Sequence, residues 1–293
     1  MIRQSAYPGP FAATIVCLAA WFATGLCIVV IAPDIENLEI GILGISQAIG
    51  MGLVTSLAAR RVPEPQAERL GLRAFEWHWL WPIALLLPLS VVVSELVNLA
   101  HALYPPPDAE LIEEMTRERV SAEGFLGILE VALVVVGIAP VVEEWLYRGL
   151  IQQGLVMHMG RAAGVLATAC LFGLAHFQPG YSVAASVGTF LAVLPLGVVL
   201  GMVRIATGSL LAPILFHAGY NAVSVAGISL AEQLPIAGFN APGDHTPLEI
   251  WLPCAVAAAF GVVPFWRGAR DAPPEPALRE IEEPDSGPPD WMG

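Results

Sequence analysis

The chain has 293 residues, of which 56% are apolar and only 13% are charged, with a formal net charge of −13 at pH 7. Soluble domains carry about 25% charged residues, so this composition excludes an ordinary soluble protein and is typical of a membrane protein. The acidic charge and the lack of lysine also exclude nucleic acid as an expected partner, because nucleic acid is bound by clustered cationic side chains.

Apolar stretches recur from Pro10 to Trp266, and eight of them are near the ~20 residues that cross a ~30 Å hydrocarbon core. The predicted fold is therefore all-α, a polytopic membrane protein with about eight transmembrane helices in one bundle. The fifth and the eighth spans are the shortest. The spans cover approximately residues 10–32, 38–59, 80–103, 125–150, 162–178, 182–203, 209–231 and 249–266.

The arginines indicate how this bundle is oriented. Most of them lie before the first span or in alternate connections, and short arginine-rich loops face the cytoplasm. With an even number of spans, both termini are then cytoplasmic. The lysine-free, Ala-, Gly- and Arg-rich composition suggests a bacterial protein, so we expect an integral protein of the bacterial inner (cytoplasmic) membrane, with the lipid bilayer as its surroundings.

These patterns divide the chain into four regions. The residues after Arg270 combine many charges with six prolines, which predicts a disordered tail. The regions are an N-terminal three-span region (1–121), a core that carries polar motifs (122–231), the last loop with the eighth span (232–267), and the acidic tail (268–293).

Glu143 and Glu144 lie in the middle of the fourth span, and Arg148 follows them. A charged side chain at bilayer depth costs at least about 2.5–3.5 kcal/mol, so it marks a functional-site hypothesis. In a helix, Glu144 and Arg148 are i, i+4 neighbours that can pair, whereas Glu143 projects about 100° away and stays free. Pro140 should loosen the helix beside them and free backbone groups. A purely structural ion pair would leave Glu143 without a partner.

Two further polar groups fall within predicted spans. His176 ends the fifth span, four residues after Phe172, and by itself is more typical of a hydrogen-bonded histidine than of a catalyst. His217 and Asn221 are i, i+4 neighbours on the seventh span, so they share one helix face and need partners. At 1.5 Å per residue, Glu143, His176 and His217 lie roughly 13–22 Å from the cytoplasmic side, so they can meet within the bundle.

Three motifs on three predicted spans resemble those of the CPBP family of intramembrane proteases, which includes the Ras-converting CAAX endopeptidase of eukaryotes and many bacterial relatives. The resemblance covers about residues 122–231, and Tyr147 stands where phenylalanine is common, which should keep the aromatic packing and add a hydroxyl. The motifs are EExxxR from Glu143 to Arg148, FxxxH from Phe172 to His176, and HxxxN from His217 to Asn221.

The resemblance implies a glutamic-type intramembrane endopeptidase that cleaves peptide bonds of membrane-embedded or membrane-anchored substrates. It implies that Glu143 and His176 activate a water molecule, which agrees with the general-base chemistry of a carboxylate. It further implies that His217 and Asn221 stabilise the tetrahedral oxyanion. The supporting residues are Glu144, Tyr147, Arg148 and Phe172.

Two alternatives stay open at this stage. Glu143, His176 and His217 also have the composition of a catalytic zinc site, although no HExxH signature is present and the glutamate-and-water mechanism requires no cofactor. The other alternative is a non-catalytic membrane scaffold or an immunity-type binding protein, and after it a small transporter, for which internal repeats are lacking. For the protease, candidate substrates are peptide precursors and the C-terminal sorting tails of surface proteins.

Overall fold

The structure of the chain is a computed structural model. Most of the predicted acidic tail and most of the acidic connection before the fourth span lie outside the described residues. In the described part, β1 (Ile2–Arg3) and β2 (Glu280–Ile281) pair antiparallel, and Ala237 and Ala241 form an isolated bridge. The remaining regular secondary structure is helical, which confirms the predicted all-α class. The described residues are 2–3, 6–32, 39–108, 124–177, 181–273 and 280–281.

The helices follow the predicted spans in chain order. A 3₁₀ turn, Trp77–Trp79, leads into α4, and α6 is a composite helix. The helices are α1 (Pro10–Ile31), α2 (Ile40–Ala59), α3 (Gln66–Leu70), α4 (Leu80–Leu86), α5 (Leu89–Leu103), α6 (Gly124–Met159), α7 (Arg161–Leu174), α8 (Val183–Thr207), α9 (Leu211–Ser229) and α10 (Leu248–Asp271).

Seven helical stretches are long and apolar enough to cross a membrane, so the protein is an integral membrane protein. They are α1, α2, the run Trp77–Leu103 that contains α4 and α5, and then α6, α8, α9 and α10. The last of them ends at Asp271, whereas the predicted tail begins at residue 268. The division into regions and the disorder of the tail stay predictions.

α7 corrects the predicted fifth span, 162–178. It has 14 residues and so is about 21 Å long, less than the ~30 Å hydrocarbon core. Its end tightens into 3₁₀ bonds, from the His176 N–H to the Gly173 carbonyl and from the Phe177 N–H to the Leu174 carbonyl. His176 therefore follows a helix end at membrane depth, where irregular backbone is tolerated only inside protein or beside a water-filled cavity.

α6 is irregular just before its acidic pair. It is α-helical over Gly124–Val131, Ala139–Glu144 and Gln152–Met159, with two π-helical stretches, Ala132–Ile138 and Trp145–Ile151. In the first π stretch the Ala139 N–H donates to the Val134 carbonyl, five residues back. The next donor in this register would be Pro140, which has no N–H, so the Val135 carbonyl loses its backbone partner. The expected loosening at Pro140 is thus present.

α8 packs closely on its neighbours through Gly197 and Gly201. A Cβ atom on Gly197 would lie 3.0 Å from the Cβ of Ala169 in α7, and one on Gly201 would lie 2.8 Å from the Gln152 amide oxygen in α6. This GxxxG pair is therefore a close-packing face, as expected in a membrane bundle. It brings the α8 backbone within hydrogen-bonding reach of the polar side chains of α6.

Candidate active site

Glu144 lies in the centre of a buried hydrogen-bond network. Its side chain has no solvent exposure, and Oε1 accepts hydrogen bonds from Arg148 Nη1 at 2.7 Å and from His217 Nδ1 at 2.9 Å. The predicted pair with Arg148 is present, and the contact with His217 is an addition to it. Because a carboxylate can only accept, the shared proton belongs to Nδ1 of His217, which fixes the orientation of the imidazole ring.

Arg148 connects this network to the neighbouring helices. Its guanidinium is fully buried, and Nη2 donates to the Gly197 carbonyl at 3.1 Å. The same group lies over the Phe172 ring, with Cζ 4.4 Å from the ring centroid. An arginine suits this position because its planar group can donate hydrogen bonds and stack on an aromatic face at the same time.

Phe172 is the apolar centre of the site. It is fully buried, and its ring makes edge contacts with three other rings. The centroid distances from Phe172 are 4.8 Å to His176, 5.1 Å to Tyr147 and 5.8 Å to His217. Edge-to-face packing at these distances holds rings in defined orientations, so Phe172 fixes both histidines relative to each other.

Glu143 faces different surroundings. Its side chain is 13% exposed, and Oε1 accepts a hydrogen bond of 2.7 Å from the Gln47 amide of α2. The second oxygen, Oε2, lies 3.9 Å from His217 Nε2. That distance is too long for a direct hydrogen bond. The two carboxylate oxygens of Glu143 therefore have separate environments.

His176 is held by the backbone of its own helix. Its Nδ1 lies 2.8 Å from the Phe172 carbonyl. When Nδ1 carries the proton and donates to that carbonyl, Nε2 of the neutral ring is left with a lone pair that can accept a proton. The ring is half-buried at the end of α7.

Glu143 and His176 line one cavity of about 690 Å³ between α1, α2, α6 and the end of α7. Its volume falls within the roughly 300–1,000 Å³ of typical ligand sites. Among the described residues that line it, the polar side chains are those of Thr24, Gln47, Glu143, Tyr147, His176, Tyr181 and Thr189. The structure thus brings Glu143 and His176 together, whereas His217 packs behind Glu143, outside this lining.

Asn221 occupies the position that Pro140 creates. Its amide nitrogen donates to the Val135 carbonyl at 2.8 Å, the group left without a backbone donor in the π stretch. This bond attaches α9 to α6 and uses one of the two amide hydrogens of Asn221. The other hydrogen is free to serve a further acceptor.

Sequence reasoning did not select Gln47 or Trp21 for the site. Gln47 is a single amide on an apolar span, and an amide at that depth needs a hydrogen-bond partner. That requirement is the feature of the sequence that could have indicated Gln47 as a site residue. The Trp21 indole N–H donates to the Tyr147 hydroxyl at 3.3 Å, so the hydroxyl that distinguishes this chain from the usual phenylalanine contacts α1.

The proposed zinc ligands do not form a metal site as placed. In the described part of the chain, no three His, Cys, Asp or Glu side chains are grouped closely enough to hold one ion. Nδ1 of His217 already donates to Glu144, and its Nε2 is 3.9 Å from Glu143. Ligands at Zn distances of about 2.0–2.2 Å in a tetrahedral site lie closer together than this, so a zinc ion would require a rearrangement.

With this geometry established, the chain was compared with known proteins. Residues 125–223 match the family described as Type II CAAX prenyl endopeptidase Rce1-like. This stretch of the chain is similar to that family. The Rce1-like region begins in α6, ends in α9 and contains all three motifs, which confirms the resemblance to CAAX-type proteases. It lies within the predicted core, 122–231, whose boundaries stay a prediction. Neither the curated proteins nor the solved structures include a match to the chain.

The Rce1-like region does not supply the whole site. Gln47, which binds Glu143, and Trp21, which binds Tyr147, both precede residue 125. The first two helices therefore complete a cavity whose motif residues come from the family region.

Proposed function

We propose that this protein is an intramembrane endopeptidase that hydrolyses peptide bonds of membrane-embedded or membrane-anchored proteins, with Glu143 as the general base. The observation that carries the proposal is the shared cavity, in which a carboxylate and a histidine lie together at membrane depth. The match of residues 125–223 to a family of endopeptidases also supports it.

Glu143 and His176 would activate the attacking water together. Gln47 holds Oε1 of Glu143, so Oε2 is the oxygen available to take the proton. Nε2 of neutral His176 offers a second acceptor at the same cavity. As the water oxygen attacks the scissile carbonyl, its proton moves to Glu143, which later returns it to the leaving amine. The carboxylate is regenerated, and no group other than water is consumed.

His217 and Asn221 are assigned to the tetrahedral oxyanion. With Glu144 accepting from Nδ1, the imidazole of His217 can carry a proton on both nitrogens, and Nε2–H then points toward the space beside Glu143. Asn221 contributes the amide hydrogen that is not used by the Val135 carbonyl. Removing one such donor typically costs about 10²–10³-fold in kcat.

The cellular setting is part of the proposal. We place the protein in the bacterial inner membrane with both termini in the cytoplasm. Most of its arginines lie before the first span or in connections that alternate when α7 is counted as an eighth, short span. Substrates of the expected kind are peptide precursors and C-terminal sorting tails, since both present a cleavable segment at the membrane.

Comparative membrane proteomics tests this proposal. Precursors should accumulate in cells that carry Glu143→Gln or His176→Ala. Glu130→Gln is the matched control, because it removes a carboxylate from the same helix outside the site, and it should process like the wild type. Unchanged processing by both site variants would sink the proposal, and rescue of a cellular phenotype by Glu143→Ala would favour a binding role. Loss of cleavage on chelation, restored by zinc, would favour the metal mechanism.

A further inference from the structure

Eight of the 18 residues that line the cavity come from helices outside the Rce1-like region. α1 contributes Trp21, Thr24, Gly25 and Ile28, which are spaced i, i+3, i+4 and i+7 and so form one face of the helix. The family region supplies the residues assigned to the chemistry. The α1 face is therefore placed to discriminate between substrates without taking part in the reaction.

Gly25 is the open position on this face. A Cβ atom built on it would have no heavy atom within 4 Å, and the residue is exposed. The adjoining part of α1 is tightly packed, because a Cβ on Gly50 of α2 would lie only 2.4 Å from the Thr24 backbone nitrogen. The α1 backbone is thus fixed at this turn, and the space beside Gly25 is part of the cavity and not a result of loose packing.

The lining around Gly25 is apolar except for Thr24, whose hydroxyl donates to the Ala20 carbonyl of its own helix. Trp21 and Ile28 flank it on α1, and Leu43 of α2 lines the same cavity. Such a surface offers few hydrogen bonds to water. An aliphatic or aromatic side chain of a substrate that enters the cavity removes its apolar surface from contact with water, which favours binding.

We propose that Gly25 is a specificity-determining residue, whose missing side chain admits a bulky apolar group of the substrate close to the scissile bond. The inference rests on the proposed endopeptidase function. The cavity beside Gly25 would then act as a size filter for substrate side chains. Each carbon added at position 25 would exclude the largest substrate side chains first. An apolar pocket of this kind discriminates by roughly 10–200-fold for each methylene that it rejects.

The experiment uses the purified full chain with synthetic peptides that span the cleavage junction of a precursor accumulating in Glu143→Gln membranes. The peptides differ in one residue beside the scissile bond, which is alanine, valine, leucine or phenylalanine. Gly25→Ala, Gly25→Val and Gly25→Leu form a graded series. Ala19→Leu is the matched control, because Ala19 is exposed on α1 but does not line the cavity.

The kcat/KM ratio of the phenylalanine peptide to the alanine peptide should fall along the series, by at least about 10-fold for Gly25→Leu. Ala19→Leu should keep the wild-type ratio. An unchanged ratio in a Gly25→Leu protein of wild-type thermal stability would overturn the filter, and so would an equal loss for all peptides. If Gly25→Leu does not fold, the ratios for Gly25→Ala and Gly25→Val decide in the same way.

The failure of the filter is distinct from the failure of the proposed function. If no precursor accumulates with Glu143→Gln, the endopeptidase proposal fails and the filter fails with it. If the peptides are cleaved in a manner that depends on Glu143 but not on the side chain at position 25, only the filter is overturned.

Discussion

Replacing Arg148 with leucine tests how much the buried charges contribute to the stability of the fold, as distinct from peptide cleavage. Arg148 and Glu144 have no exposure and are joined by a 2.7 Å bond, and Arg148 also donates to the Gly197 carbonyl. Without the guanidinium, Glu144 would remain buried with His217 as its remaining described partner. Breaking a buried pair in this way costs about 3–5 kcal/mol, which we expect as the loss in the free energy of unfolding.

The double variant Glu144→Met with Arg148→Leu makes this prediction specific. Replacing both members of a buried pair by apolar groups of similar volume is often neutral or stabilising, so the double variant should recover most of the lost stability. It should not recover peptide cleavage, because Nδ1 of His217 would have lost its acceptor. Thermal unfolding of the purified variants and cleavage of an accumulated precursor are the two measurements. Wild-type stability of Arg148→Leu, or renewed cleavage by the double variant, would refute the reasoning.

Three further predictions concern other contacts. Gly197→Ala should lower the free energy of unfolding by about 1–3 kcal/mol, because the added Cβ would lie 3.0 Å from the Cβ of Ala169. The control Gly52→Ala should be nearly neutral in thermal unfolding, because its Cβ would have only one neighbouring atom, at 3.9 Å. Gln47→Leu should lower kcat about tenfold or more at unchanged thermal stability, because Glu143 loses the hydrogen bond from the Gln47 amide. A kcat equal to that of the wild type would contradict this. Hydrogen bonds from the Ser182 hydroxyl and N–H hold the pKa of the Asp108 carboxyl below its usual range. Their stabilisation is present above the ordinary pKa and is lost as the pH falls through the lowered one, so the stability difference between wild type and Asp108→Asn should shrink as the pH falls below about 4, the ordinary pKa of an aspartate.

The membrane class and the pair of Glu144 with Arg148 could be predicted from the sequence. Long apolar stretches are unambiguous at this length, and charged residues inside them need partners. The spacing of Glu144 and Arg148 therefore predicted their pair correctly. The same logic predicted that Pro140 would disturb α6, because a missing N–H must leave a carbonyl without its donor.

Long-range contacts set the limit of the prediction. No local pattern places Gln47 of α2 beside Glu143, since their contact depends on how separate helices pack. The end of α7 at Leu174 was also missed, because residues 175–178 are nearly as compatible with a helix as those before them, and only the 3₁₀ bonds at its end terminate it. Helix ends are in general the least certain part of an element.

The carboxylate of Glu143 can be tested most directly with purified protein in lipid vesicles and a precursor that accumulates in Glu143→Gln cells. Mass spectrometry of the products measures the new C-terminus formed by hydrolysis. We expect the wild type to form one defined terminus, Glu130→Gln to form it at a similar rate, and Glu143→Gln to form it at least about 10²-fold more slowly. Equal rates for the wild type and Glu143→Gln would contradict the assignment of Glu143 as the base that activates water.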